Sequence, residues 1–404
     1  MPIQALQLTA YTLTSALGRG RQAHLAALRE SRSGLRACDF ETAELPAWIG
    51  RVDGVEDQEI NGELAAFDCR NNRLAEIALH QDGFLDTALE ARERLGADRI
   101  GVFLGTSTSG IHETELAYRE RDTETGALPD WFEYAHTHNV YSCGRYLRQR
   151  LNLQGPAMVI STACSSSARA FATAYRYIQA GWVDAAIVGG VDSLCLTTLY
   201  GFSSLQLVSP NPCRPADTAR DGISIGEAAG FALLERAEPG SDRVCLLGYG
   251  ESSDAYHMSS PDPEGSGAAL AMRQALTTAG LSPEQIDYVN LHGTATPAND
   301  ISEDKALCQV FGPGQAASST KGWTGHALGA AGIVEAALSA LCIEEGFRPR
   351  SLNTEHVDPA LNSRILTENE QTAVNFVLSN SFGFGGNNCT LALGRLPGRT
   401  TSAT

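Results

Sequence analysis

Lysine is almost missing from this chain. Of its 30 basic residues only Lys305 and Lys321 are lysine, and the formal net charge is −17. So acidic a balance argues against nucleic acid or an anionic membrane as partner. No stretch reaches the roughly 18 uninterrupted apolar residues of a membrane-crossing helix. The start, Met1-Pro-Ile-Gln-Ala, has no basic region of the kind that opens a secretory signal. The 10 cysteines have neither paired metal-ligand spacing nor a compact framework, so free thiols in a reducing cytoplasm are expected.

What is present fits a packed α/β enzyme: 404 residues, 43% of them hydrophobic, with 40 glycines. That length exceeds one small core and implies two domains or one large duplicated domain. The pattern that organises it is Met158-Val-Ile-Ser-Thr-Ala-Cys164-Ser-Ser-Ser-Ala-Arg-Ala170. An apolar run stops at a cysteine, small residues follow, and a helical pattern continues toward Gly181. This predicts strand, sharp turn, helix. A thiol at a helix start faces free N–H groups and the positive end of the macrodipole, which favour the thiolate. Taken alone, the same stretch suits a buried, inert cysteine equally well.

Before it, Ile3 to Thr14 reads as a strand and Gly20 to Arg29 as a helix. A further helix begins near Phe67, with Arg70 and Arg73 in its first turns. Arg99 to Gly105 is a buried strand with Thr106 to Gly110 as its polar exit loop. Residues 111 to 150 read as helical with an interruption near Pro129, and they carry Arg145 and Arg148. After it, Asp184 to Gly190 completes a β-α-β unit with parallel strands. The polar stretch at Pro239 and Gly240 divides the chain into halves, 1–240 and 241–404.

The second half repeats the logic. Strands are expected at Val244 to Tyr249, Ile286 to Leu291, Val374 to Leu378 and Cys389 to Leu393. Helices are expected over Gly267 to Gly280, Ile301 to Phe311 and Gly329 to Glu344, with Asp300 and Glu303 capping the second of these. Both halves put a reactive residue type at the end of a buried strand just before a helix, which suggests internal duplication.

Three more stretches stand out: Asn290-Leu-His292-Gly-Thr294-Ala-Thr296-Pro, Lys321-Gly-Trp-Thr-Gly-His326-Ala-Leu-Gly-Ala-Ala-Gly332, and Asn380-Ser-Phe382-Gly-Phe384-Gly-Gly386. Glycines beside a histidine let substrate approach the backbone, and imidazoles donate to a developing oxyanion. Glu335 lies in an apolar helix where a carboxylate needs a partner, and Lys321 is the natural one.

Together with Thr-Ala-Cys164-Ser-Ser, these motifs resemble, in order and over essentially the whole chain, the elongating β-ketoacyl-[acyl-carrier-protein] synthases. These are condensing enzymes of the thiolase fold, in fatty acid and polyketide synthesis. The resemblance implies an α/β thiolase-like fold, five-layered α-β-α-β-α, built from two duplicated halves. It implies that Cys164 takes an acyl chain as a thioester, with its own N–H and that of Phe384 as oxyanion hole. His292 and His326 would stabilise the enolate formed as malonyl thioester loses carbon dioxide. Lys321 and Glu335 would order the second histidine and nearby water, and Phe382 and Phe384 would gate the acyl pocket. Thr294, Thr296 and Ser259 would hold the pantetheine arm, and Thr108 and Phe202 the acyl chain. Arg214, Arg70, Arg73, Arg145 and Arg148 would dock an acidic acyl carrier protein. No metal or other cofactor is implied, since the substrates ride on the carrier's phosphopantetheine. The Cys-His-His set separates this group from initiating synthases and thiolases. Asn387-Asn388 departs from the usual Thr-Asn pair. A fatty acid synthase, a ketosynthase of a specialised polyketide or aryl-polyene system, and a non-catalytic chain-length partner all share the fold. A homodimer is expected, with a heterodimer beside a chain-length factor as the alternative.

Overall fold

The apolar runs become strands of one twelve-stranded sheet in a computed structural model that describes residues 2–238 and 240–396. At its centre Leu6–Ser15 lies antiparallel to Val244–Ser253 through two residue pairs only, Leu6 with Leu246 and Gln7 with Cys245. Outward from the first run Ala228–Arg236, Ala185–Asp192, Ile100–Gly105 and Ala157–Ile160. Outward from the second run Asn387–Arg395, Phe376–Gly383, Tyr288–Asn290, Ala316–Ser318 and Arg364–Ile365. On both sides the inner pairs are antiparallel and the outer ones parallel, so the two wings mirror each other.

Helices fill the space between and outside the wings. Ser166–Gln179 and Ala331–Glu345 pack against strands of both wings and against each other, making a central helical layer. The helices Arg70–Leu79, Phe84–Leu95 and Ser142–Arg150 cover one wing, and Ser266–Ala279 covers the other and carries Pro297–Phe311 against it. The thiolase-like order of five layers follows. It explains composition locally: Ala331 to Ile343 is buried at every position, so apart from Glu335 and Ser339 this stretch is apolar all round. Ala185–Asp192 is likewise buried throughout, as a strand covered on both faces must be. Among the described residues no helix is long and apolar enough to cross a membrane.

Some elements differ from expectation. The interruption expected near Pro129 is present but longer, occupying all the chain between the helices Ile111–Arg119 and Ser142–Arg150. The strand expected to end at Leu378 runs on to Gly383. Its polar continuation is held by pairing, Asn380 opposite Thr390 and Ser381 opposite Cys389, and Thr390 Oγ1 donates to Asn380 Oδ1 at 2.9 Å.

Arg70 is not available for docking. It is 5% exposed, its Nε and Nη2 donate to Glu227, and its Nη1 donates to Glu56. Glu227 also accepts the N–H groups of Val52 and Leu194, both at 2.9 Å, so the pair pins three segments together. Arg73 is turned to its own helix start, bonding both oxygens of Asp68. Arg145 lies over the Tyr141 ring at 5.9 Å, Arg148 donates to Gln154 O at 3.0 Å, and Arg214 is half-buried. Removing one partner of a buried pair leaves an uncompensated charge. Arg70→Ala is therefore expected to destabilise the protein by about 3–5 kcal/mol, read from urea unfolding. A loss under about 1 kcal/mol would mean that Glu227 finds water instead.

Candidate active site

Cys164 sits where Ala157–Ile160 turns into the helix Ser166–Gln179. The turn is tight: Ala163 has φ 52°, in the left-handed region where non-glycine residues are strained. Side chains hold it, with Ser166 Oγ accepting from Thr162 N at 2.9 Å and Ser165 Oγ donating to Thr162 O at 2.9 Å. Gly383 of the opposite wing comes so close that a Cβ there would lie 2.8 Å from Thr162 O and 3.2 Å from Cys164 N. Only glycine lets the two wings meet at this point. The helix start does not yield a resting thiolate. Burial pushes the Cys164 thiol up to about 11, against the pull of the Lys321 ammonium and the Phe384 N–H.

Both histidines come from the second half, and both are almost wholly buried. His326 is placed by backbone pairing: its N–H donates to Ser224 O at 2.7 Å, and Gly226 N–H donates to its O at 3.0 Å. Its Nδ1 accepts from Leu328 N–H at 3.2 Å, which puts the ring proton on Nε2, 3.1 Å from Cys164 Sγ. His292 follows the strand Tyr288–Asn290, and its Nδ1 lies 3.3 Å from Lys321 Nζ. An ammonium has only donors, so His292 too carries its proton on Nε2. The rings lie 5.3 Å apart at 82°. Two neutral N–H donors thus share one space beside the sulfur.

Lys321 also donates to His292 O and to Glu335. The family resemblance implies that Lys321 and Glu335 order the second histidine; the ammonium instead contacts the first. Glu335 is buried, which raises its carboxyl, while Lys321 and the Ser381 hydroxyl at 3.3 Å oppose this. Burial likewise holds both imidazoles well below 6.5, helped by the Lys321 ammonium and, for His292, by His326.

Asp300 and Glu303 do not cap the following helix. That helix is Pro297–Phe311 with Thr296 at its N-cap, so both carboxylates lie inside it. Glu303 accepts the N–H groups of His292 and Gly293, each at 2.8 Å, and Asn380 Nδ2 at 3.1 Å. Burial lifts its carboxyl to about 7 despite these bonds. Asp300 accepts Ala295 N at 3.2 Å and Ala216 N at 2.8 Å. Glu303 was not singled out by the sequence as belonging to the site; a buried acid eleven residues past a histidine was the available signal.

A cavity of about 300 Å³ leads to Cys164, His292 and His326. Thr294, Thr296, Ser259, Phe202, Phe382 and Phe384 line it, with Asp254 and Asn388. The hydroxyls of Thr294 and Thr296 lie 2.8 Å apart, and the Phe202 and Phe384 rings 5.7 Å apart. Gly385 N–H donates to Met258 O at 2.8 Å, fastening the phenylalanine turn to the Ser259 loop. Thr108 is not among the lining residues: its Oγ1 donates to buried Asp192 at 2.9 Å. None of the five arginines expected to dock a carrier lines this cavity. The sulfur and the imidazole nitrogens lie within 4.8 Å of one another, a donor set of the kind that holds zinc. The Lys321 ammonium beside His292 opposes a cation there.

Comparison with known proteins shows which family the chain resembles. The N-terminal domain family of beta-ketoacyl synthases matches residues 9–239, and the C-terminal domain family matches residues 244–355. A mitochondrial 3-oxoacyl-[acyl-carrier-protein] synthase of Arabidopsis thaliana is 38% identical over 78% of this chain and 72% of its own. 3-Oxoacyl-[acyl-carrier-protein] synthase 2 of Staphylococcus aureus is 33% identical over 78% and 81%. Among solved structures, a ketosynthase of Xenorhabdus doucetiae in complex with its chain length factor superposes with a TM-score of 0.88. It is 38% identical and covers 97% of this chain and 98% of that one. The ishigamide ketosynthase/chain length factor gives 0.87 at 28% identity, covering 98% and 100%.

The lowered histidine values have a definite sign. A depressed imidazole stays neutral where an ordinary one, near 6.5, gains a proton. In protein labelled with ¹⁵N-histidine, the ring nitrogens of His292 and His326 are expected to keep the neutral Nε2–H pattern from pH 8 to about pH 6. Titration of either ring near 6.5 would contradict the assignment.

Proposed function

The chain belongs to the beta-ketoacyl synthase family, and from that premise we propose that it elongates acyl chains by decarboxylating condensation on Cys164. The observation that carries the reading is the meeting of Cys164 Sγ with two Nε2–H donors at the end of one cavity. In the first step Cys164 attacks the thioester of an acyl carrier protein. The bond from acyl carbon to Cys164 Sγ forms, the bond to pantetheine sulfur breaks, and the thiol proton passes to the departing pantetheine sulfur. The backbone N–H groups of Cys164 and Phe384 receive the oxyanion. In the second step malonyl-carrier protein loses carbon dioxide, and the electron pair of that bond becomes an enolate held by His292 and His326. The enolate carbon attacks the carbonyl carbon of the acyl-cysteine: the new carbon–carbon bond forms, the bond from acyl carbon to Cys164 Sγ breaks, the β-ketoacyl product stays on the carrier, and Sγ takes a proton from solvent. Thr294, Thr296 and Ser259 suit the pantetheine arm, and Phe202 and Phe384 the boundary of the acyl chain. The chemistry requires no cofactor beyond the carrier's phosphopantetheine.

The leading reading is 3-oxoacyl-[acyl-carrier-protein] synthesis of the fatty acid type in a reducing cytoplasm, where ten free thiols are at home. A second reading, a ketosynthase paired with a chain-length factor, is favoured by the Xenorhabdus doucetiae complex, which this chain matches over nearly its whole length. Gel filtration with and without a co-expressed homologue separates homodimer from heterodimer. A non-catalytic scaffold would have no use for the assembled cysteine and histidines.

Incubation with acyl-carrier protein is expected to add one acyl mass to Cys164; absence of the adduct on the intact protein would sink both enzyme readings. Cys164→Ala is expected to abolish condensation while malonyl decarboxylation persists, because both imidazole donors remain. Loss of both activities would place the cysteine in the decarboxylation step. Of the arginines, Arg214 is retained as carrier contact: Arg214→Glu is expected to raise KM for acyl-carrier protein, and an unchanged KM would remove it.

A further inference from the structure

Asp192 takes no part in the reaction as derived, yet it is wholly buried and has no cationic partner among the described residues. It ends the strand Ala185–Asp192. Five donors converge on it. Oδ1 accepts from Thr106 Oγ1 at 2.6 Å, Ser107 N at 2.7 Å, Thr108 N at 2.8 Å and Thr108 Oγ1 at 2.9 Å. Oδ2 accepts from Gly329 N and also shares Ser107 N at 3.0 Å. A carboxylate solvated only by dipoles is retained where its geometry is needed.

The two sets of donors belong to the two turns that present the reacting groups. Ser107, whose N–H is held mainly by Oδ1, donates its Oγ to Ala163 O at 3.3 Å, the carbonyl just before Cys164. Gly329, held by Oδ2, follows Leu328, whose N–H fixes His326 Nδ1. The turns touch at the carboxylate: a Cβ on Gly329 would lie 2.7 Å from Ser107 Oγ and 2.8 Å from Asp192 Oδ2. Each turn also carries a non-glycine residue in the left-handed region, Ala163 at φ 52° and Leu328 at φ 48°. Such conformations persist only where the surroundings impose them.

We propose that Asp192 is a positioning residue that clamps the Cys164 turn to the His326 turn and so sets the 3.1 Å approach of His326 Nε2 to Cys164 Sγ. This rests on the catalytic roles proposed above for Cys164 and His326. All five partners are donors, so only an acceptor with two oxygens serves them. Asparagine keeps one oxygen for the Thr106–Thr108 loop and turns an N–H₂ against Gly329 N–H. Thr108 thereby becomes part of the clamp.

The test compares wild type, Asp192→Asn and Ser107→Ala. For Asp192→Asn, kcat of condensation per folded molecule is expected to fall about tenfold or more, with KM for both carrier substrates within about twofold. The pH midpoint for alkylation of Cys164 by iodoacetamide is expected to move from the wild-type value, which a uniform loss of folded protein would not do. Ser107→Ala, which removes only the bond to Ala163 O, is expected to shift the same readouts less. Wild-type kcat and alkylation profile in both variants would overturn the clamp. If Asp192→Asn does not fold, Ser107→Ala decides alone, and an unchanged profile there overturns it. A wild type that takes no acyl adduct on Cys164 overturns the parent reading; an adduct on wild type with unchanged variants overturns only the clamp.

Discussion

Everything at the site depends on one buried ammonium. Lys321 has three donors and spends them on three acceptors: a Glu335 oxygen, His292 O and His292 Nδ1. A guanidinium, planar and forked, does not fit that tetrahedral arrangement. This is why lysine stands here in a chain whose other basic residues are, apart from Lys305, all arginine. The same charge fixes the His292 tautomer, adds to the burial that keeps both imidazoles neutral, opposes a metal ion and tempers the rise of the Cys164 thiol. Glu335 makes the arrangement affordable by balancing the charge inside an otherwise apolar helix.

Around that charge the two wings divide the work. The first offers Cys164 at a strand-to-helix turn; the second offers His292 and Phe384 at strand ends and His326 in a backbone-paired turn. Carboxylates with no counter-cation among the described residues hold the turns: Glu303 grips the His292 backbone, and Asp192 bridges the turns of Cys164 and His326. Gly383 against Cys164 N lets the wings close. The mirrored strand order makes this economical, since each wing delivers its reactive residue from a parallel strand's C-terminal end, where ligands gather in α/β sheets.

Much of this was legible in the sequence, for a physical reason. Residue types that carry chemistry are rare in apolar runs, so Cys164, His292, Lys321 and His326 stand out where they end or interrupt one. What misled were charged and polar residues whose partners lie far along the chain. Arg70 reads as a surface residue free to dock a carrier, because nothing near it announces Glu227, 157 residues away. Thr108 reads as pocket wall, because Asp192 lies 84 residues on. Asp300 and Glu303 read as caps, but Pro297 at the first helical turn starts the helix earlier and carries Glu303 inward to the His292 loop. Lys321 is nearer in sequence to His326 than to His292, yet the helix Lys321–Thr324 and the turn at Gly325 separate that pair.

The turn at Cys164 shows how two effects of comparable size are settled by burial. A helix start favours a thiolate by about 0.3–1 kcal/mol when exposed, rising to about 2 when partly buried. Removing a charge from water outweighs that, and the thiol rises to about 11. The resting site therefore holds a neutral thiol, two neutral imidazoles and one internally balanced ion pair. In the proposed reaction, charge appears only transiently, on a tetrahedral oxygen and on an enolate oxygen. Each meets donors already in place: two backbone N–H groups for the first, two Nε2–H groups for the second. Because no resting anion occupies those donors, they need no reorganisation when the charge develops, and among buried groups each is worth more than it would be in solvent. The burial that suppresses the thiolate is thus the same condition that strengthens the donors.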